Sequence, residues 1–547
     1  MDEHAILPFK QRWIVSFFIP FVLFLVIIIF FYPTYHSADD NYLLYEMSGA
    51  FGNGATNLLH YNYTWHPYLT YPLKKLFELF PGENWYSISL YSLHFLSWLC
   101  LTNIIFRRIS FLSASFLVLI LFAVFGSQFL LRITYSNTSI LLTIAALMYL
   151  GDKVFSRRNL TVVNYVITVV LLAVAGMLRF HVLIPFMVLF LTLLSFRSRK
   201  NISEIVLVYF ISFSLLFILN KAHKNYYERH ISDWSKKEAY RQAVLSYDNH
   251  SKQIDTAKMS AKMNLQNSWL KNGIILDTNF LNSTDIRNIV QRKKSARNFK
   301  DLRGELYWLL TNNRLYMITT AGMLFFCLTM VNVPNRKKVI IILPGLALLS
   351  MCAYLLLFMK LPHYFLSVTL FFYSCCCILF FISNAPGRFH SLQKYGLIVF
   401  WMGCITWGAV RLYKLNKENI EGQKMFFDAW NELSPNKDKL YIAPYFSIPF
   451  DDLGVFISPL KYPLPNVVFK NSLMNNAQEQ AYKRFGIRSS NDLFLNEHIR
   501  FIGTSAPLVQ EYYERSHGVK LEVVQTPEKY NHLMVTLFQI KSVDQKK

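Results

Sequence analysis

Residues Trp13–Tyr32 read WIVSFFIPFVLFLVIIIFFY, and the ten that follow, Pro33–Tyr42, read PTYHSADDNY. The first stretch is about as long as a bilayer's hydrocarbon core requires of a helix, and it holds no charge. Only a helix satisfies its own backbone polar groups there, so this stretch predicts a membrane span. No small-residue cleavage site follows Pro33, so the span is read as retained rather than as a signal peptide. Two adjacent carboxylates, Asp39 and Asp40, then stand immediately beyond the apolar boundary, where a charge is costly unless hydrated, paired or useful.

Ten more stretches repeat the pattern of the first, near residues 85–106, 110–126, 137–150, 162–178, 182–196, 202–219, 315–331, 339–358, 364–382 and 395–411. The predicted fold class is mainly α, a polytopic membrane helix bundle of about eleven spans. Composition agrees: 53% of the 547 residues are hydrophobic and 16% are charged, too few charges for an ordinary soluble core. The lipid bilayer is therefore the first expected partner. The net charge of +23 suits anionic headgroups and phosphorylated substrates, and no aromatic-interleaved basic platform for nucleic acid is present. All seven cysteines fall within predicted spans, which leaves neither a disulfide framework nor a cysteine-based zinc spacing.

Basic clusters recur in alternate loops, at Lys10 and Arg12, Arg107 and Arg108, Lys153, Arg157 and Arg158, Arg197, Arg199 and Lys200, Arg336–Lys338, and Arg388 and Lys394. Loops of this kind face the cytoplasm. With the N-terminus inside, a first loop at about 34–84, a large loop at about 220–313 and everything from 416 onward fall outside. The expected organisation is a transmembrane module over 1–415 and a small extracytoplasmic α/β domain over 416–547. Its strands are expected at 440–443, 499–503, 521–524 and 533–540, with a helix at 508–515. In the large loop, helices are expected near 240–248, 251–272 and 285–300, able to form a lid. The run Arg292–Lys294 reads as a solvated face, and Asp451-Asp452 as a surface-loop pair.

Three cations break the charge rule by sitting at outer span ends: Arg132, Arg179 and Lys360, the last two accompanied by His181 and His363. They either snorkel to headgroups or converge on a bound phosphate. The acidic pair also has two readings, a solvated helix cap or a base. Neighbours on a helix do not share a face, so one carboxylate is expected to face a cavity and the other to fix the loop. A divalent cation across Asp39 and Asp40 is the one cofactor the residue types suggest. Interfacial segments follow, and Tyr42, Trp65 and His66 are candidates for acceptor or sugar binding, or else are membrane anchors.

The layout resembles the GT-C class of membrane glycosyltransferases, which includes protein O-mannosyltransferases, the lipid A aminoarabinose transferase and bacterial arabinofuranosyltransferases. The resemblance rests on Asp39-Asp40 after the first span, on Gly176-Met177-Leu178-Arg179 followed by Pro185, and on Tyr135-Ser136-Asn137. It covers the first seven spans. At the last motif many relatives carry Glu or Asp where this chain has Asn137.

The resemblance implies an enzyme of the outer face, taking a sugar from a polyprenyl-phosphate donor to a hydroxyl on a glycan, lipid or protein acceptor, with inversion. Asp39 or Asp40 would be the base, and Arg132, Arg179, Lys360 and His363 would bind the donor phosphate. A bacterial inner membrane is the expected location. The alternatives are an O-antigen or wall polysaccharide polymerase or ligase, a lipid-linked sugar transporter or flippase, and a structural scaffold. A flippase would put ionisable groups near mid-membrane in repeated halves, whereas here they stand at span ends.

Overall fold

The structure is a computed structural model, and it describes residues 8–59, 65–155, 161–195, 202–257, 259–272, 279–292, 299–330, 334–383, 391–443, 448–469, 476–488, 492, 496–503, 506–518, 520–525 and 537–542. Among these residues eight helices are long and apolar enough to cross a membrane, the first at Lys10–Phe30 and the last within Tyr395–Leu433. The chain is a multi-pass, mainly helical integral membrane protein. Phe17, Phe18, Ile29 and Phe30 of the first helix are exposed, as side chains that face lipid would be.

Two expected spans, 162–178 and 182–196, form one helical run, Val162–Ser195, broken at Arg179 (φ −160°, ψ 92°). A straight helix would hold Asn164 and Phe190 about 39 Å apart at 1.5 Å per residue. Instead both meet the same end of the Tyr135–Phe155 helix. The Tyr149 hydroxyl donates to Asn164 Oδ1 at 2.8 Å, and a Cβ on Gly151 would stand 2.7 Å from the Phe190 ring. At the other end of that helix, Ser139 donates to the Ala175 carbonyl. The run is therefore a helical hairpin whose bend is Arg179.

At the opposite end of this bundle, the side expected to be cytoplasmic, Arg107 and Arg108 both donate to the buried Asp152, Arg108 at 2.7 Å. One member of the predicted inner charge cluster is thus a packed ion network rather than a solvated loop.

Beyond the first span, strand β1 (Thr34–Tyr35) pairs in parallel with β2 (Arg132–Ile133), and the His36 amide donates to the Ile133 carbonyl. The chain then enters an eleven-residue helix, Ala38–Ser48. Ser37 caps its start by accepting from the Asp39 amide, and Gly49, at φ 83°, ends it in the left-handed region. Asp39 and Asp40 lie in its first turn, where the unpaired amides of the helix favour negative charge. The helix Pro67–Leu79 exposes Tyr68, Tyr71 and Leu79 while burying Leu73 and Phe77, the two-faced pattern of an interfacial segment.

The C-terminal part carries a five-stranded sheet in the order β4-β3-β5-β7-β6, formed by β3 (Leu440–Ala443), β4 (Val467–Phe469), β5 (Ile499–Ile502), β6 (Leu521–Gln525) and β7 (Leu537–Ser542). β3 pairs in parallel with β4 and β5, while β7 is antiparallel to β5 and β6. Strand β4, only three residues long, had no sequence expectation. The helix Ser391–Leu433 runs continuously from the last span into this region, across the boundary expected at 415. The large outer loop packs on the sheet's helix: Trp269 and Phe280 meet the Tyr512 ring at 4.8 and 4.5 Å. Part of the Arg292–Lys294 run lies outside the described residues.

Candidate active site

The two carboxylates occupy different environments. Asp40 is fully buried, and its Oδ1 accepts from the Tyr86 hydroxyl at 2.7 Å and from the Tyr135 amide at 2.9 Å. Its Oδ2 makes no hydrogen bond among the described residues. Burial raises its pKa from 3.8 to about 7, against the lowering pull of Tyr86, the Tyr135 amide and Thr134, and with a further push from Asp39. Asp39 is half-buried, one residue round the helix. Asp40 ties the helix to the starts of the helices Trp85–Phe106 and Tyr135–Phe155, and Asp39 is left at the accessible face.

The positive counterpart is Arg179. Its Nη1 donates to the Tyr364 hydroxyl at 2.8 Å and to the Ser136 hydroxyl, and its guanidinium lies 5.4 Å from the centre of the Tyr135 ring. The charges of both Asp39 and Asp40 act on it. The break in the hairpin thus has a chemical consequence: a residue at a helix bend projects a guanidinium into the space that the helix Ala38–Ser48 borders. Tyr364 also meets the His36 ring, with centroids 6.3 Å apart.

The large outer loop adds Asp248, from the helix Trp234–His250. Solvent reaches it on one side and protein hems it in on the other. The loss of water raises its pKa, Lys360 lowers it and Asp39 raises it again. Lys360 is exposed and lies within electrostatic reach of Asp248. The loop is pinned nearby by Gln253 Nε2, which donates to the Leu357 carbonyl at 3.3 Å. Asp39, Arg179, Tyr135, Ser136, Tyr364, Asp248 and Lys360 thus share one cluster, on the side of the membrane that the charge pattern predicts to be outer.

Other expected site residues lie elsewhere. Arg132 turns to Glu418 at 2.9 Å and Asn419 at 3.1 Å, so its charge is already engaged by the long C-terminal helix. It also acts on Asp451 and Asp452, which are half-buried rather than on a surface loop. Burial and Asp451 push the Asp452 pKa up to about 6 despite Arg132. Tyr42 is buried, 5.0 Å from the Phe51 ring and 5.8 Å from the Phe469 ring, a packing position that leaves no face for a sugar. Trp65 is buried and stacked on Tyr86 at 4.9 Å.

His66 caps the interfacial helix: Nδ1 accepts from the Tyr68 amide, which leaves the proton on Nε2 to reach the Leu219 carbonyl at 3.1 Å. Burial lowers its pKa, and both ring nitrogens are committed to structure. His363 begins the helix His363–Ile382, and its side chain lies outside the described ones. Asn137 is buried, and its Oδ1 makes no hydrogen bond among the described residues.

The chain was compared with known proteins. Two solved structures follow it nearly end to end: ArnT from Cupriavidus metallidurans bound to undecaprenyl phosphate (TM-score 0.42) and the same protein in the apo state (TM-score 0.40). Each alignment covers 97% of this chain and 98% of the other, at 11% identity. So loose a superposition fixes neither residue correspondences nor an activity. No family model matches, and no curated protein matches.

Sequence reasoning missed three residues. Tyr364 reads as one more interfacial aromatic at a span start, Tyr86 as span filling, and Asp248 as one acid in a polar loop. Only the fold brings them to Asp39, Asp40 and Arg179. As for a metal, among the described residues no group of three or more His, Cys, Asp or Glu gathers to hold one. Asp40 Oδ1 is taken by Tyr86 and Tyr135, and both carboxylates already act electrostatically on the Arg179 guanidinium.

Proposed function

We propose that the chain is a membrane glycosyltransferase of the GT-C kind, moving a sugar from a polyprenyl-phosphate donor to an acceptor hydroxyl at the outer face. The observation that carries this reading is the opposition of Asp39, accessible at a helix start, to Arg179, held by Tyr364, Ser136 and the Tyr135 ring. Asp39 takes the proton of the acceptor hydroxyl as that oxygen bonds to the anomeric carbon. The bond from that carbon to the phosphate oxygen breaks, and its electron pair leaves with the lipid phosphate. Attack from the face opposite the leaving group inverts the configuration.

General-base help of this type contributes on the order of 100- to 10,000-fold. Arg179 supplies paired donors to the phosphate, a geometry that an ammonium does not match. Lys360 and Asp248, from neighbouring outer segments, border the path of the acceptor. Asp40 acts through Asp39, by fixing the helix that presents it. A glycosyl donor whose lipid stays in the bilayer and an acceptor that arrives from water both suit a site at the outer ends of spans.

The test is transfer of labelled sugar from a panel of polyprenyl-phosphate sugars to envelope extract by purified protein, wild type against Asp39→Asn. Transfer that the substitution abolishes supports the reading. Absence of transfer from every donor, by folded protein, overturns it in favour of a polymerase or flippase.

A further inference from the structure

A cavity of about 510 Å³ lies in the C-terminal part and is lined by Lys437, Asp438, Pro465, Asn466, Arg484, Phe485 and His498. Its place follows from the sheet. Residues 437–438, 465–466 and 498 immediately precede β3, β4 and β5, so the cavity opens at the N-terminal edge of the three parallel strands. The opposite edge, at Phe469, packs against Tyr42 and Phe51 of the first outer loop. The cavity therefore lies at the other end of these strands from Phe469.

Its chemistry is that of a polar, cationic binding site. Lys437 and Arg484 outnumber the one lining carboxylate, Asp438, and the His498 ring, which meets Glu497 at 3.8 Å, adds a further polar group; all four of these lining residues are exposed. The Phe485 ring supplies an apolar wall. Asn466, 4% exposed, gives both amide protons to the Leu433 and Asn436 carbonyls at 3.1 Å, and its Oδ1 has no partner among the described residues. Hydrogen-bond donors and acceptors, an aromatic wall and two fixed cations to one lining carboxylate suit a sugar that carries a negative group.

The cavity wall meets the chain that follows the Asp39 helix. The Leu464 amide donates to the Ala50 carbonyl at 2.9 Å, and Arg484 donates to the Pro465 carbonyl. Gly52, at φ 87°, approaches so closely that a Cβ there would stand 2.9 Å from Pro465 Cβ. Ala50 and Gly52 follow the helix that starts with Asp39, and Asp39 and Ser48 are about 14 Å apart along that axis at 1.5 Å per residue. The cavity wall and Asp39 thus stand at the two ends of one short segment, a separation on the scale of a few sugar units.

We infer that this cavity is a separate subsite for an anionic saccharide, a sugar phosphate or a uronic acid, and that it holds a distal unit of the acceptor glycan. The acceptor role rests on the glycosyltransferase reading, whereas the binding itself does not. The subsite makes the acceptor an acidic chain and gives the C-terminal sheet a task apart from the chemistry.

The experiment is calorimetric titration of the full-length protein in nanodiscs with glucose 6-phosphate, glucuronate and, as the neutral control, glucose. Expected is binding of one or both anionic sugars at least tenfold tighter than glucose, weakened at least tenfold by Lys437→Gln/His498→Gln and by Arg484→Gln. Asp39→Asn should leave it unchanged. The double variant leaves the Arg484–Pro465 contact in place, which separates lost charge from lost structure. Equal binding of glucose, binding untouched by either variant, or no binding at all overturns the proposal. Anion binding that persists in a protein with no transfer activity would sink the enzyme reading alone.

Discussion

The Tyr86 hydroxyl donates to Asp40 Oδ1 at 2.7 Å, deep between helices, and the neighbouring Asp39 has no such burial. One adjacent pair thus supplies an anchor and an accessible carboxylate, the one proposed as the base. Removing the phenol in Tyr86→Phe costs Asp40 one of its partners. A lost hydrogen bond to a buried charged group is worth about 1.5–3 kcal/mol. The expected outcome is a lower thermal midpoint in detergent, with transfer by the folded fraction reduced far less than in Asp39→Asn.

Asp40 also gives stability a pH dependence. Its folded pKa of about 7 lies above the ordinary 3.8. Between these values the folded state binds more protons than the unfolded state, so this group's contribution to stability falls as pH rises from about 4 to 7. It is fully present below that window and lost above it. Thermal scans between pH 4 and 8 should show the decline in the wild type and a flatter profile in Asp40→Asn. Equal slopes would contradict the assignment.

At the phosphate side, Arg179→Lys keeps the charge but loses the fork of donors. Loss of a preorganised donor at a developing charge costs on the order of 100-fold in rate. Tyr364→Phe removes one hydrogen bond accepted from the charged guanidinium, about 1.5 kcal/mol at the low end for a charged partner, and should slow turnover by roughly tenfold. Steady-state transfer rates with saturating donor distinguish the two.

How far these residues could be read from the sequence varies with the distance over which their partners act. The acidic pair was legible because it stands next to a twenty-residue apolar run, and Arg179 because a basic residue interrupts an apolar stretch. The strands at 440–443, 499–502 and 521–525 were legible from short apolar runs. Arg132 was not, since its partners Asn419 and Glu418 are 287 and 286 residues away and engage its charge. Tyr42 and His66 misled for a related reason: a ring or an imidazole just outside a span has the same composition whether it meets substrate or closes a core.

On the opposite face, Asp152→Asn should leave Arg107 and Arg108 without their buried carboxylate. Breaking a buried pair by removing one partner costs about 3–5 kcal/mol. The thermal midpoint should drop sharply, while transfer per folded molecule stays near wild type, because the network lies at the far end of the Tyr135–Phe155 helix from Ser136. A selective loss of turnover at unchanged stability would contradict this.

The division of labour between the two carboxylates is tested most directly by measuring, in one preparation each, donor binding and transfer rate for Asp39→Asn and Asp40→Asn. Asparagine at position 40 retains an oxygen that can accept from Tyr86 and Tyr135. The account predicts that Asp39→Asn binds donor like wild type and loses at least about 100-fold in rate, while Asp40→Asn keeps most of its turnover. Full activity in Asp39→Asn, or loss confined to Asp40→Asn, would contradict it.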